Sequence, residues 1–250
     1  MLAVMDAGSM RYQTKVETIT VAPGSDFPVE LQVESIADFN RAIDDMFAEL
    51  QARGEQDLLA ELCPYFGAVW ASGRALADLI AAEPASAVYG KSFLEVGCGL
   101  ALPSLTLLKR SAFRVMATDL HPDVPAFLER NLSRNGLENH PGFFYRQVDW
   151  RSDEGLRAVT EIFPDRFPEV ILASDVLYER GQAEAVAGFL ATCFSRGTSR
   201  VILTDPGRPW LQDFVTAASR YGLKPTLDSR VVPDPIGEVS VFVLFFDRAG

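Results

Sequence analysis

The chain has 250 residues, a formal net charge of −11, three cysteines and two histidines. At about 150 residues per domain, this length predicts one large domain or one domain with an appendage. The hydrophobic fraction of 48% and the charged fraction of 23% are typical of a globular protein and exclude a fully disordered chain. No apolar run approaches the roughly 18 residues that span a bilayer, so we expect no membrane partner.

Charge and residue counts also narrow the functional classes. The negative net charge opposes binding to nucleic acid, because phosphate affinity depends on lysine and arginine releasing counterions. The cysteines are widely spaced and lack a Cys-x-x-Cys pair, which indicates reduced thiols in the cytoplasm. His121 and His140 offer too few ligands for a histidine zinc site, and we expect no metal.

Residues 1–60 are predicted to form an extension of a larger domain, residues 61–250. Within the extension, residues 12–21 and 29–34 alternate apolar and polar side chains around a turn-rich segment, 22–28. This pattern predicts a small β-hairpin. The chain has no low-complexity linker, so we expect the extension to pack on the larger domain.

A helix is predicted to follow this hairpin. Ser35 stands three residues before Asp38 and is predicted to open the helix, which ends at Gly54. Apolar residues recur at helical spacing and predict one buried stripe. They are Ile36, Phe39, Ile43, Met46, Phe47 and Leu50.

Beyond Gly90, short β-rich runs alternate with helical patterns, which predicts a parallel sheet covered by helices on both faces. Five runs are predicted to be parallel strands: 92–96, 113–118, 143–148, 169–173 and 200–204. Two later runs, 225–232 and 239–246, are joined by too few residues for a crossover helix and must pair antiparallel. The region is therefore predicted to be an α/β fold with a seven-strand sheet that closes in an antiparallel hairpin.

The segment 93–102 joins the first of these strands to a helix through Gly97-x-Gly99-x-Ala101. Glycines allow a tight turn and a close ligand approach, while the helix N-terminus presents free N–H groups to an anion. A nicotinamide dinucleotide site would need its third glycine where Leu102 stands, so we disfavour that cofactor. A tight turn without a ligand is the alternative interpretation.

Two carboxylates are predicted to flank this loop. Glu95 lies two residues before the first glycine, at the end of its strand. Asp119 ends the second strand, where an acidic side chain can accept hydrogen bonds from both hydroxyls of a ribose. A helix cap or turn residue is the alternative role for Asp119.

Further polar and aromatic residues follow the third and fourth strands at the same predicted edge. Asp149 could accept a hydrogen bond from an adenine amino group, and Trp150 could stack on the purine or lie in the core. Ser174 and Asp175 follow the fourth strand, and Tyr178 comes three residues later. If a helical turn starts there, Asp175 and Tyr178 share a face, whereas Asp175 could instead cap the next helix.

Taken together, these residues resemble the motif series of seven-strand S-adenosylmethionine-dependent methyltransferases. The similarity covers about residues 64–246 and matches methyltransferase family 16, the seven-strand protein-lysine methyltransferases. Segment 69–76 resembles the tryptophan-containing segment of that family, although Ala-Ser follows the tryptophan in place of the usual proline-containing residues. Segment 205–209 is similar to a sequence in the branch that includes electron-transfer-flavoprotein lysine methyltransferases.

The resemblance implies a Rossmann-like doubly wound sheet with strand order 3-2-1-4-5-7-6. It implies S-adenosylmethionine as cofactor, S-adenosylhomocysteine as product and a lysine of another protein as methyl acceptor. Asp175 and Tyr178 would orient the acceptor amine. The implied cofactor-binding residues are Trp70, Glu95, Gly97, Cys98, Gly99, Asp119, Asp149, Trp150 and Ser174.

Two other functions stay open at this point. A small-molecule N- or O-methyltransferase would use the same cofactor site. A non-catalytic cofactor-binding or partner-binding module would retain the loop but would use Asp175 and Tyr178 only as structural residues. Fold class does not choose among these, because function lies in the site.

Overall fold

The computed structural model describes residues 11–179, 181–234 and 237–248. Within these residues, nine strands form one two-stranded sheet and one seven-stranded sheet. The strands are β1 (Thr14–Val21), β2 (Val29–Ile36), β3 (Ser92–Val96), β4 (Arg114–Asp119), β5 (Phe143–Gln147), β6 (Val170–Ser174), β7 (Arg200–Asp205), β8 (Thr226–Asp234) and β9 (Gly237–Asp247). The helices are α1 (Phe39–Arg53), α2 (Leu59–Leu62), α3 (Ala71–Ala82), α4 (Ala85–Val88), α5 (Leu102–Lys109), α6 (Val124–Arg134), α7 (Glu154–Ile162), α8 (Gln182–Ser195) and α9 (Leu211–Arg220).

The large sheet has the order β5-β4-β3-β6-β7-β9-β8. Counted from β3, this is the predicted order 3-2-1-4-5-7-6. Strands β3 to β7 pair parallel, whereas β9 pairs antiparallel with both β7 and β8. The α/β fold, the doubly wound sheet and the closing hairpin are confirmed.

Alternate residues of the central strands face two separate apolar layers. Phe93 packs with residues of α3, α5 and α6, while its neighbour Leu94 packs with residues of α7, α8 and α9. Both side chains are buried. Since each face of the sheet is covered, the strands must be apolar on both sides, and the carboxyl edge is where a ligand has access.

The predicted start of the first helix is wrong by three residues. Ser35 and Ile36 belong to β2, where they pair with Lys15 and Thr14 of β1. Asp38 caps α1 instead, because its carboxylate accepts the Arg41 N–H at 3.0 Å, and aspartate caps as well as serine does.

The end of this helix agrees with the prediction, but only part of its predicted apolar stripe is buried. Gly54 ends α1 with a left-handed φ of +68°. Met46 and Leu50 are buried, but Phe47 is 45% exposed. The stripe is therefore narrower than predicted, because α1 packs through one edge of its apolar face.

The N-terminal hairpin packs on helices of the main domain. Leu31 and Val33 of β2 belong to the same apolar cluster as residues of α3, α5 and α6. On α6, Asn131 Oδ1 accepts the Glu34 N–H at 2.7 Å, and the Asn135 amide bonds both the N–H and the carbonyl of Gln32. These amides satisfy backbone groups along β2 that would otherwise be unpaired. The division of the chain at residues 60 and 61 stays a prediction.

Glu34 is the most buried charge in this contact. Its carboxylate is 2% exposed and binds Arg130 at 2.9 Å and Arg134 at 2.7 Å. Burial alone would raise the pKa of Glu34, but the hydrogen bonds and positive charges of the two arginines lower it. Hence Glu34 fastens the hairpin to α6 in its ionised form.

Among the helices that the structure describes, none combines the length and the apolar character needed to span a bilayer.

We predict that Glu34→Gln lowers the free energy of unfolding by about 1–3 kcal/mol at pH 7, because two charge-assisted hydrogen bonds are lost. A lowered carboxyl pKa stabilises the fold above the unfolded-state value and loses this effect as pH falls through the folded-state value. The difference in the free energy of unfolding between the wild type and Glu34→Gln should therefore shrink in acid. Urea unfolding from pH 3 to 7 measures it, with exposed Glu30→Gln as the control. A difference that stays constant with pH would contradict this role.

Candidate active site

A cavity of about 550 Å³ opens at the carboxyl ends of the central strands. This is within the size range of cofactor sites, and open α/β sheets bind ligands at this edge. Most of the residues predicted for the site line the cavity. They are Trp70, Gly97, Cys98, Gly99, Asp119, Asp149, Trp150, Ser174, Asp175 and Tyr178.

The glycine loop is shaped by the protein itself. Gly97 and Gly99 both have left-handed backbones, with φ of +66° and +50°. A Cβ on Gly97 would lie 2.7 Å from the side chain of Val176, and one on Gly99 would lie 3.1 Å from the Phe66 carbonyl oxygen. The glycines are therefore required by turn geometry and by protein packing, before any ligand is considered. Ala101 also lies in the left-handed region, with φ of +59°.

Asp119 connects this loop to the next one. Its Oδ2 accepts the Gly99 N–H at 2.8 Å and its Oδ1 accepts the His121 N–H at 3.0 Å. Asp119 is thus a turn residue, as the alternative interpretation had it, and not the cap of α6. Burial raises its pKa, while these N–H donors lower it in part. Because Asp119 also lines the cavity, its remaining lone pairs can accept ligand hydroxyls.

Glu95 does not line the cavity, which corrects the prediction of direct cofactor contact. The side chain is fully buried behind the loop, where Oε2 accepts the N–H of Ser104 at 2.9 Å and also its hydroxyl. Removal from water raises the pKa of Glu95 to about 8. The carboxyl is therefore protonated at neutral pH and ties β3 to the first turn of α5.

Trp150 and Asp149 hold intermediate positions between cavity and core. The Trp150 ring packs edge-to-face on Phe189, with centroids 5.0 Å apart, and also lines the cavity. Asp149 forms a two-pronged ion pair with Arg151, with both nitrogen–oxygen distances at 2.9 Å. That pair lowers the pKa of Asp149. The carboxylate therefore stays ionised while it offers lone pairs to the cavity.

Trp70 precedes α3 and closes one side of the cavity. Its indole N–H donates to the Tyr65 carbonyl at 2.8 Å, and Phe39 meets its ring edge-to-face at 5.3 Å. Tyr65 in turn approaches Tyr178, with ring centroids 5.8 Å apart. These rings form an aromatic border around the cavity, in which Tyr65 and Tyr178 are 41% and 42% exposed.

Asp175 and Tyr178 lie on the same cavity wall but not on one helical face. Asp175 is left-handed, with φ of +58°, and α8 begins only at Gln182. The condition for a shared helical face is therefore not met, and Asp175 does not cap α8. Its N–H donates to the Thr204 carbonyl at 3.0 Å, which holds the segment after β6 against β7. Ser174 ends β6 beside them.

Arg208 is a cavity residue that the sequence analysis did not assign. Its Nε donates to Asp175 Oδ1 at 2.7 Å. It belongs to the segment 205–209, whose similarity to a family sequence is the signal that points to it. His121 is a second cavity residue that the sequence analysis did not assign. The centroid of its ring lies 4.3 Å from that of Phe66, and burial lowers its pKa.

We predict that the raised pKa of Glu95 makes stability depend on pH. The folded state holds this proton more tightly than the unfolded chain, so the contribution is complete below pH 4.5 and is lost as pH rises to about 8. The loss is about 1.4 kcal/mol per pH unit. Glu95→Gln, which keeps an acceptor for Ser104, should gain stability relative to the wild type over this range.

Urea unfolding at pH 5, 6.5 and 8 measures the difference between the two proteins. Glu129→Gln, an exposed change on α6, is the control and should show no such trend. A difference between Glu95→Gln and wild type that is independent of pH would show that Glu95 is ionised in the folded protein.

Comparisons with known proteins place this site in context. The family model described as lysine methyltransferase matches residues 62–213. The electron transfer flavoprotein beta subunit lysine methyltransferase of Homo sapiens is 26% identical over 61% of this chain and 53% of its own length. This chain thus matches only about half the length of that relative. The protein N-terminal and lysine N-methyltransferase efm7 of Aspergillus fumigatus is 24% identical over 76% of this chain and 78% of its own.

Solved structures share the fold. The precorrin-6y C5,15-methyltransferase of Geobacter metallireducens superposes with a TM-score of 0.52 at 15% identity, covering 70% of this chain and 89% of that one. A protein described as a methyltransferase and solved in complex with SAH has a TM-score of 0.54 at 11% identity, covering 71% and 50%. At this identity the likeness concerns the fold alone. Since the family model covers more than half of the sequence, the chain belongs to the lysine methyltransferase family.

Proposed function

We propose that the protein transfers a methyl group from S-adenosylmethionine to a lysine side chain of another protein and releases S-adenosylhomocysteine. The observation that carries the proposal is that ten predicted site residues line one cavity at the carboxyl edge of the sheet, in a chain of the lysine methyltransferase family. The net charge of −11 favours a protein over a nucleic acid as the acceptor.

The chemistry of the cavity fits this cofactor. The ribose hydroxyls would be bound by Asp119, and the adenine by Asp149 and Trp150. The methionine part of the cofactor would contact the glycine loop with Cys98, together with Trp70 and Ser174. Glu95 would support the loop from behind. When bound, the cofactor supplies a methyl group on a sulfonium for in-line displacement.

The residues of the chain would position the acceptor. Asp175 keeps Oδ2 free of the Arg208 hydrogen bond and can accept an N–H from the amine. The half-exposed rings of Tyr65 and Tyr178 suit the alkyl stem of a lysine. Methyl transfer requires donor and acceptor at about 3–3.5 Å and in line, so the main task of these residues is orientation.

The three cysteines bear on location. Cys63, Cys98 and Cys193 are free and buried. Free thiols persist in reducing compartments, so we place the protein in the cytoplasm.

The decisive experiment incubates the protein with methyl-labelled S-adenosylmethionine and a cell extract. We expect the label in a protein band and, by mass spectrometry, on a lysine. Because the name of the Aspergillus relative includes N-terminal methylation, the mass spectra must separate ε-amino from α-amino products. Label confined to small molecules would instead support a metabolite methyltransferase. Cofactor binding without transfer to any fraction would support a non-catalytic module.

We predict that Asp119→Ala weakens binding of S-adenosylhomocysteine by about 1–3 kcal/mol, because a charged hydrogen-bond acceptor for the ribose is lost. Isothermal titration calorimetry measures the affinity. The same variant should lose little affinity for an analogue that lacks both ribose hydroxyls. An equal loss for both ligands would mean that Asp119 acts only through the loop held at Gly99.

We predict that Asp175→Asn lowers the methyl-transfer rate by about 100-fold, or about 2.7 kcal/mol of transition-state stabilisation. The reason is that asparagine keeps the shape but loses the carboxylate that orients the amine. Binding of S-adenosylhomocysteine should stay near the wild-type value. Asp153→Asn, an exposed carboxylate outside the cavity, is the control. Normal turnover of the folded Asp175→Asn protein would refute the catalytic role.

A further inference from the structure

The ion pair between Asp175 and Arg208 is the feature of the cavity that the proposed function leaves unexplained. The Asp175 side chain is only 9% exposed, and the Arg208 side chain is 34% exposed. Both residues line the cavity. An arginine therefore already occupies a cation position on the carboxylate that we assign to the acceptor.

The fold fixes both partners of this pair. The backbone N–H groups of Arg208 and Gly207 donate to Oδ1 of buried Asp205 at 2.6 and 2.8 Å. These two hydrogen bonds hold the turn after β7. Just after the neighbouring strand β6, Asp175 has a left-handed backbone, and its Oδ1 accepts the Arg208 Nε–H at the same edge. A left-handed aspartate is strained, and the surrounding contacts must offset that strain. The pair is thus built into two adjacent strand ends.

We propose that Arg208 is a positioning residue that neutralises Asp175, so that this carboxylate can orient the acceptor amine without holding it as an ammonium. The inference rests on the proposed function. It explains how a carboxylate can serve a reaction in which the amine must first lose its proton.

The physical reason is the effect of a charge on a neighbouring pKa. An unpaired carboxylate within about 4–6 Å of a lysine favours the charged amine and raises its pKa by 1–3 units. Each unit lowers the neutral, nucleophilic fraction about tenfold. Arginine stays charged at every physiological pH, so its compensation is permanent.

Arg208 faces other groups besides Asp175, but they do not change the charge of the cavity as Asp175 does. Besides Asp175, it faces Asp205 and the hydroxyl of Tyr65, and its guanidinium lies 6.0 Å from the Trp70 ring centroid. Asp205 is buried beneath the turn and does not line the cavity. Among these groups, Asp175 is the carboxylate whose charge reaches the cavity.

The sulfonium of S-adenosylmethionine provides a cationic probe that needs no protein substrate. S-adenosylhomocysteine lacks this charge, so the ratio of the two affinities reports the charge of the cavity. Removing Arg208 by Arg208→Gln should raise the preference for S-adenosylmethionine about fivefold or more, because Asp175 is left uncompensated. Isothermal titration calorimetry at one pH and ionic strength measures both ligands.

Four further variants make the test specific. The double variant Arg208→Gln with Asp175→Asn should return the ratio to within about twofold of wild type, because the unpaired charge is gone. Arg208→Lys should keep the wild-type ratio. Asp175→Asn alone should lower the preference for S-adenosylmethionine, since Arg208 is then unpaired. This variant provides the test if Arg208→Gln does not fold. Arg220→Gln, which breaks an exposed pair with Glu184, is the control for net charge.

A ratio that is unchanged in Arg208→Gln, or a rise that persists in the double variant, would overturn the role of Arg208 while leaving the cofactor site in place. Failure of the wild-type protein to bind either ligand would overturn the proposed function itself and this inference with it.

Discussion

The carboxylate of Asp119 is the constraint on which the cavity depends. It accepts N–H groups from the turn after β3 and from the turn after β4, and the Cys98 N–H donates to the Thr118 carbonyl in the same place. The parallel register of β3 and β4 thereby sets the shape of the glycine loop. A loop held in this way is formed before a ligand arrives, so binding need not include the cost of ordering it.

The four carboxylates that the sequence analysis assigned to this edge of the sheet are compensated in three ways. Glu95 is buried and protonated, Asp119 accepts backbone N–H groups, and Asp149 and Asp175 each pair with an arginine. The carboxylates of this acidic motif series are therefore compensated by the protein itself. This balance suits a ligand that combines a sulfonium, a zwitterionic amino acid and a neutral nucleoside, because excess charge of either sign would favour one of these parts over the others.

The sheet could be predicted from the sequence because its strands are apolar on both faces and end in turn residues. The cavity lining could be predicted because parallel strands end at one edge. Other features depended on tertiary contacts: Ser35 was drawn into β2 by pairing with β1, and Glu95 was turned inward by Ser104. The pairing of Arg208 joins residues 33 positions apart, so no local pattern could reveal it. The left-handed backbone of Asp175 likewise carries no sequence signal, since this conformation is uncommon outside glycine.

The docking of the N-terminal hairpin has a consequence for shortened forms of the protein. The asparagine amides of α6 and the apolar side chains of α3, α5 and α6 are covered by β1 and β2. A chain that begins at residue 62, and so lacks β1 and β2, would expose that apolar surface to water. Exposed surface of this kind promotes self-association, so such a fragment would precipitate or form soluble aggregates rather than behave as an autonomous catalytic core.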